Sequence, residues 1–391
     1  MRQRLAFLNI WSSYATYYFG KVNLSIVVPA LLVAYKDLSL YNVGLVSSGF
    51  FFAYAIGQFL HGQISERFNP FIYVSAGLLL SGIMNLLLGF YGGFFVMLLL
   101  IETFDGFFQA MGWSSIVRSN SLIQTKEKRE ASTTLLGCSY QVGNSVAWLV
   151  SAFAVGQWGW RAGFFVASGF LLLRGLSLLA TKPKIEVAKP HKTKQQIKQT
   201  LSTPIVLSGI SLCALNMIRY GVITWIPLYF FERGGFGVAQ MGKVGLKVFL
   251  LPLAGVIGTL TYNALKVNRD KLSILFIMLL GCSLFVLPFT SGSWSLVLLL
   301  IGSFFLYGPH VFLVTTCPTR FVEEKVVAAS TGFIDGMGYV GTVLIGILVP
   351  FILTQTSNNW NVVFFFWACL SFVVMATIVT AYVGYFKNKT Q

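Results

Sequence analysis

Two basic residues stand where a lipid-embedded chain tolerates them least. Lys21 lies inside an apolar run, 7–34, and Arg219 lies midway along a second, Pro204 to Phe231. Each run is long enough for a membrane-spanning helix at about 1.5 Å per residue. A cation at bilayer depth costs roughly 2.5–3.5 kcal/mol on insertion scales, so it faces a water-filled cavity or a partner. Such a residue either binds something or completes a structural ion pair. In the first run Tyr14, Tyr18 and Lys21 fall at i, i+4 and i+7, one helical face. Tyrosine hydroxyls beside a cation suit a polar cavity better than lipid.

Three acids stand in similar runs. Glu102 and Asp105 are three residues apart and share a face, and Asp335 sits in a later run. Buried carboxylates can carry protons, so these three are the candidates for proton coupling. The structural alternative is internal charge pairing, with Arg174 or Lys21 as partners. His310, three residues after Tyr307, could face the same cavity, although a lone buried histidine is more often hydrogen-bonded for structure.

The cations are related by an internal echo. A shift of 198 places Lys21 on Arg219, Pro29 on Pro227, Gly44 on Gly242, Phe51 on Phe249 and Gly57 on Gly255. It also places Ala131-Ser132-Thr133 on Ala329-Ser330-Thr331 and Val142-Gly143 on Val340-Gly341. One ungapped register that catches a tripeptide and both buried cations indicates two similar halves. Each half offers one positive charge at mid-membrane, which suggests an anion site on a shared axis.

The elements that must position these residues are membrane helices. Hydrophobic residues make up 56% of the 391 and charged residues 10%, against about 25% charged in a soluble domain. Twelve spans are expected, roughly 7–34, 42–64, 71–91, 94–117, 131–155, 160–181, 204–231, 240–264, 272–290, 293–316, 326–353 and 360–386. The net charge of +16 is not a nucleic-acid signature, because the Lys and Arg residues alternate between connections. One side carries twenty of them, including Arg67, Arg118, Lys126, Lys128, Arg129 and six lysines between Lys182 and Lys198. The other side carries Lys36, Arg161 and Arg233. By the positive-inside rule both termini are cytoplasmic, in the plasma (inner) membrane of a multi-pass protein. The expected division is a six-helix bundle over 1–181, a cytoplasmic linker over 182–203 and a second bundle over 204–391. The linker has two prolines, many lysines and no apolar face, so His191 within it is read as solvated. The five cysteines show no metal or disulfide spacing and are expected to be free thiols. No cleavable signal is visible.

Gly62-Gln63-Ile64-Ser65-Glu66-Arg67 closes span two. A glycine for close helix contact followed by an acid-basic pair is similar to the loop signature of the major facilitator superfamily, in which Gly62, Glu66 and Arg67 would serve gating. With the two basic spans the resemblance narrows to the organophosphate:phosphate antiporters, which include glycerol-3-phosphate and hexose-phosphate transporters. The segments that carry it are YYFGKVN, SERFNP, FQAMGW, GWRA, IRYG, YGP and ASTGF with GYVG, and they extend over nearly the whole chain. That resemblance implies an all-α fold of twelve transmembrane helices in two pseudo-symmetric six-helix bundles. It also implies that Lys21 and Arg219 take the places of two phosphate-clamping arginines. Tyr14, Tyr18, Tyr54, Trp113, Tyr307 and Tyr339 match aromatic residues that line the family's cavity. The chain departs from that pattern at Lys21, which replaces a planar fork by a point charge. It departs again at Gln58, where a second basic residue is expected, and at Tyr140, where a histidine is expected.

No HExxH, GxSxG, P-loop or cofactor fingerprint is present, so neither an enzyme nor a resident cofactor or metal is expected. The reading is a secondary active transporter that moves a small organic anion by alternating access, in exchange for inorganic phosphate. The alternatives are a proton-coupled symporter or exporter of another solute and a transport-like membrane sensor of a sugar phosphate. Expected partners are the anionic solute, inorganic phosphate or protons, and the lipid bilayer, with no nucleic acid and a monomeric state.

Overall fold

The computed structural model describes residues 2–182, 202–322 and 327–389. His191 and nearly all of the 182–203 linker lie outside the described residues. Every described regular element is helical. Hydrocarbon offers a peptide group no partner, and a helix satisfies its own backbone. Among the described residues eleven helices are long and apolar enough to cross a membrane. Span five, Lys126–Trp158, has the length but is more polar, and its polar side chains turn inward: Ser139, Gln141, Asn144, Ser145 and Ser151 are all buried. Large apolar side chains are left on the outside instead, Phe59 and Leu173 each 70% exposed. That is the reverse of a soluble protein and suits a lipid solvent.

The described chain forms two compact units, 1–191 with 223–252, and 192–222 with 253–391. This boundary differs from the linker-based division because residues 223–252 group with the first six spans. Glycines allow that approach. A Cβ on Gly245 would meet Ala152 at 2.5 Å, one on Gly242 would meet Phe153 at 2.9 Å, and Gly156 lies against the Ala239 carbonyl.

Within the first unit, span one (Arg2–Ala34) packs on spans five and six (Trp160–Thr181), and span three (Pro70–Tyr91) on span six. Span two (Leu40–Ile64) packs on the first helix of span four, Phe95–Gln109. In the second unit span nine (Arg269–Val286) packs on span ten (Ser293–Val311) and on span twelve (Trp360–Lys389), so the three–six pair has its counterpart in nine–twelve.

The repeat is physical as well as textual. A Cβ on Gly143 would fall on the backbone of Ala15, and one on Gly341 on the backbone of Cys213. Both members of the second contact lie 198 residues beyond those of the first. The same absence of a side chain therefore joins spans one and five in one unit and spans seven and eleven in the other. Asn69 and Asn268 cap spans three and nine, accepting from the amides of Phe71 and of Asp270 and Lys271 respectively.

Two spans differ from the unbroken helices expected. Span four breaks at Ala110 and resumes as Met111–Ile123, so its FQAMGW motif is a helix junction. Tyr17 wedges in there: its ring meets Gly112, its hydroxyl lies over Gly77, and it donates to the Val74 carbonyl at 2.8 Å. Span ten contains Pro309, then a π-helical turn over Phe312–Thr316, then Cys317–Phe321 with Pro318 in its first turn. Each proline removes an amide that would bond four residues back, and the wider turn accommodates the loss.

Candidate functional site

The sequence places Lys21 mid-span, and the fold surrounds it with rings. Its ammonium lies 3.7 Å from the Tyr54 ring centroid and 5.5 Å from that of Tyr18, and the residue is 9% exposed. A desolvated cation–π contact is worth about 2 kcal/mol, which offsets much of the cost of holding a lysine at that depth. Gln58 donates to the Tyr54 hydroxyl at 2.7 Å, one turn along span two. From Tyr18 the lining continues by a stacked contact to Tyr140 at 5.7 Å, and through Tyr14 to Trp113 at 4.9 Å. Seven residues singled out from the sequence (Tyr14, Tyr18, Lys21, Tyr54, Gln58, Trp113 and Tyr140) therefore meet in one region built from spans one, two, four and five.

The second unit builds a corresponding corner on Arg219, which is 5% exposed. The apolar, membrane-length parts of spans one and seven, Arg4–Ala34 and Thr203–Arg233, are each 31 residues long, and the two cations stand 17 and 16 residues after those starts. Proline follows eight residues later in both, Pro29 and Pro227. The guanidinium lies 5.0 Å from the Tyr220 ring and 5.3 Å from the Tyr307 ring. Its Nη1 is 3.0 Å from His310 Nε2. Tyr339 approaches Tyr220 with centroids 6.5 Å apart, and the half-buried Asp335 lies within electrostatic reach of Arg219. Tyr220 was not singled out from the sequence, although it follows Arg219 directly in IRYG. His310 was weighed as structural and proves to touch the cation.

Glu102 and Asp105 belong to another part of the first unit. Both are buried at 1% exposure or less. Asn85 donates to Asp105 Oδ2 at 2.9 Å, Asn23 donates to Asn85 Oδ1 at 2.6 Å, and Gln109 donates to Ser81 at 2.8 Å. Glu102 Oε1 and Asp105 Oδ1 have no hydrogen-bond partner among the described residues. Arg174 is not their partner, contrary to one expectation. It donates to the side chains of Ser13 and Asn9 and to the Asn9 carbonyl, tying span six to span one.

The loop after span two also differs from expectation. Among the described residues nothing lies within 4 Å of a Cβ built on Gly62, so it makes no close helix contact there. The close-contact glycine is Gly57, against Ala110 and the Phe107 carbonyl, and the 198-residue echo had already marked it. Arg67 is exposed and the Glu66 side chain lies outside the described residues. The loop is braced by Arg118 from the end of span four, which donates to the Ser65 and Phe68 carbonyls. In the second unit Arg320, at the end of span ten, grips the buried Asp270 through Nη1 at 2.6 and 2.7 Å. Arg118 and Arg320 were read only as cytoplasmic charge. Their position two spans beyond each capped loop was the available signal.

The sequence profile described as Major Facilitator Superfamily matches residues 10–345. The chain belongs to that superfamily. Among curated proteins it is 26% identical over 393 residues to the membrane sensor protein UhpC of Escherichia coli, covering 92% of this chain and 87% of the relative. It is 24% identical to a probable hexose phosphate transport protein of Chlamydia trachomatis, covering 95% and 89%. These relatives match the organophosphate branch that the motifs resemble. Among solved structures it aligns with a D-xylose-proton symporter at a TM-score of 0.78 and 14% identity, covering 95% of this chain and 96% of that one, which speaks to fold alone. The protein is thus a multi-pass membrane protein with the major facilitator fold, and the superfamily and fold are those of transporters, not enzymes.

Proposed function

We propose that the protein is a secondary active transporter of a small organic anion, a phosphorylated metabolite exchanged for inorganic phosphate by alternating access. One observation carries this reading: equivalent helices of the two repeats hold a buried cation at nearly the same depth, each set against tyrosine rings. Lys21 and Arg219 bind the anion, and Tyr14, Tyr18, Tyr54, Gln58, Trp113, Tyr140, Tyr307 and Tyr339 supply the aromatic and polar lining. Binding offsets the two cations and lowers the barrier to rocking one repeat against the other. Gly62, Glu66 and Arg67 act at the gate, with Arg118 bracing that loop. The twenty-to-three distribution of basic residues supports a plasma-membrane location with both termini in the cytoplasm. A monomer is sufficient for this cycle.

Purified protein in liposomes decides the matter. Phosphate-loaded vesicles should take up labelled phosphate ester, and Lys21→Gln and Arg219→Gln should each abolish the exchange. Undiminished counterflow in both variants discards the clamp.

The orphaned oxygens of Glu102 and Asp105 favour a second reading, a proton-coupled carrier in which these acids, with Asp335, hold the coupling proton. Uptake that tracks an imposed pH gradient with no exchangeable anion inside would select it. The similarity to a membrane sensor protein supports a third, ligand binding with little turnover, which the same vesicles would reveal.

A further inference from the structure

Arginine carries five N–H donors and no acceptor, and it keeps its charge at any pH the protein meets. Its 3.0 Å contact with His310 therefore fixes the imidazole: Nε2 accepts from Arg219 Nη1, and the ring is neutral with its proton on Nδ1. A charged imidazolium could not accept and would repel the guanidinium. Among the described residues the other titratable or charged groups at this corner are Tyr220 beside Arg219, Tyr307 one turn before His310, and Asp335 and Tyr339 from span eleven. Tyr262 of span eight turns away, sharing a hydrogen bond with Ser273, and Asp270 of span nine is held by Arg320.

We propose that His310 is the protonation partner of the anion site, so that each anion bound to Arg219 brings a proton onto His310. The inference rests on the anion-binding reading above. An arriving oxyanion takes the Nη1–H that His310 had accepted. Nε2 is left with a lone pair facing a negative charge, takes up a proton supplied by the buffered solution, and donates it in a hydrogen bond to a second oxygen of the anion. No bond within the anion changes. The site then offers two positive charges on span seven and span ten, which favours a doubly charged phosphate over a singly charged carboxylate. Imidazole is the side chain suited to this, because its ordinary range lies nearest neutrality.

The test is titration calorimetry of the purified full chain with inorganic phosphate, in buffers of different ionisation enthalpy, from pH 6 to 8. Phosphate itself exchanges protons, so the informative quantity is wild type minus His310→Gln. Glutamine can still accept from Arg219 but cannot take a proton. The wild type should absorb about one more proton per phosphate than the variant, and its log Kd should rise with pH by about one more unit of slope. Equal proton uptake in the two proteins overturns the proposal and points to Asp335, which Asp335→Asn would then report. Absence of phosphate binding to the wild type overturns the anion-binding reading, and this inference with it.

Discussion

Lys21→Met keeps an unbranched side chain one atom shorter and removes its charge, and the surroundings of Lys21 set what should follow. For stability, two magnitudes oppose each other. A lysine at mid-membrane costs roughly 2.5–3.5 kcal/mol, and the ring contact at 3.7 Å from Tyr54 returns about 2 kcal/mol. Removing the charge should therefore raise folded stability by about 0.5–1.5 kcal/mol, on the same two figures. For binding the sign reverses. Two unit charges 4 Å apart attract by about 4 kcal/mol at an effective dielectric of about 20, and a charged hydrogen bond nets about 1.5–3 kcal/mol. Taking about 2–3 kcal/mol, phosphate or phosphate-ester affinity should fall roughly 30- to 150-fold. The assay pairs calorimetric Kd with the thermal midpoint of the detergent-solubilised protein. A midpoint that drops by several degrees while Kd stays within threefold would show Lys21 to be a structural charge, and the argument for an anion site would fail with it.

The junction glycines give a second test. Gly143→Ala and Gly341→Ala should each destabilise the protein by about 1–3 kcal/mol, because the added methyl meets backbone, whereas Gly137→Ala and Gly62→Ala, with open space, should not; thermal midpoints separate the pairs. Arg320→Gln strands the buried Asp270 and should cost about 1–3 kcal/mol, between the values for exposed and buried pairs; adding Asp270→Asn should recover part of it in a double-mutant cycle. Glu102→Gln should leave the thermal midpoint within about 1 kcal/mol of stability, since an amide is better tolerated there than a charge. If the second reading holds, the same variant should lose uptake driven by an acid exterior, and retention of that uptake would remove Glu102 from any coupling role.

Much of the fold was legible because lipid leaves few choices. Helices of about 20 apolar residues are the only long elements open to such a chain, so ten or more spans could be placed to within a few residues. The 198-residue echo was equally readable, and its glycines proved to mark the contacts that repeat, Gly143 on Ala15 and Gly341 on Cys213. The break at Ala110 and the π turn in span ten were not readable. They arise from how Tyr17 and the prolines fit their neighbours, and hydrophobic periodicity carries no such information.

For the site, the sequence alone determined which two charges stand at matching positions deep in matched helices, Lys21 and Arg219. Depth follows from counting residues along a helix of fixed rise, so one dimension suffices. Which side chains surround each cation depends on the rotation of helices far apart in the chain, and only the tertiary structure decided that. It set the Tyr54 ring over Lys21, turned Arg174 to Asn9 and Ser13 rather than to Glu102, and brought His310 across 91 residues onto Arg219.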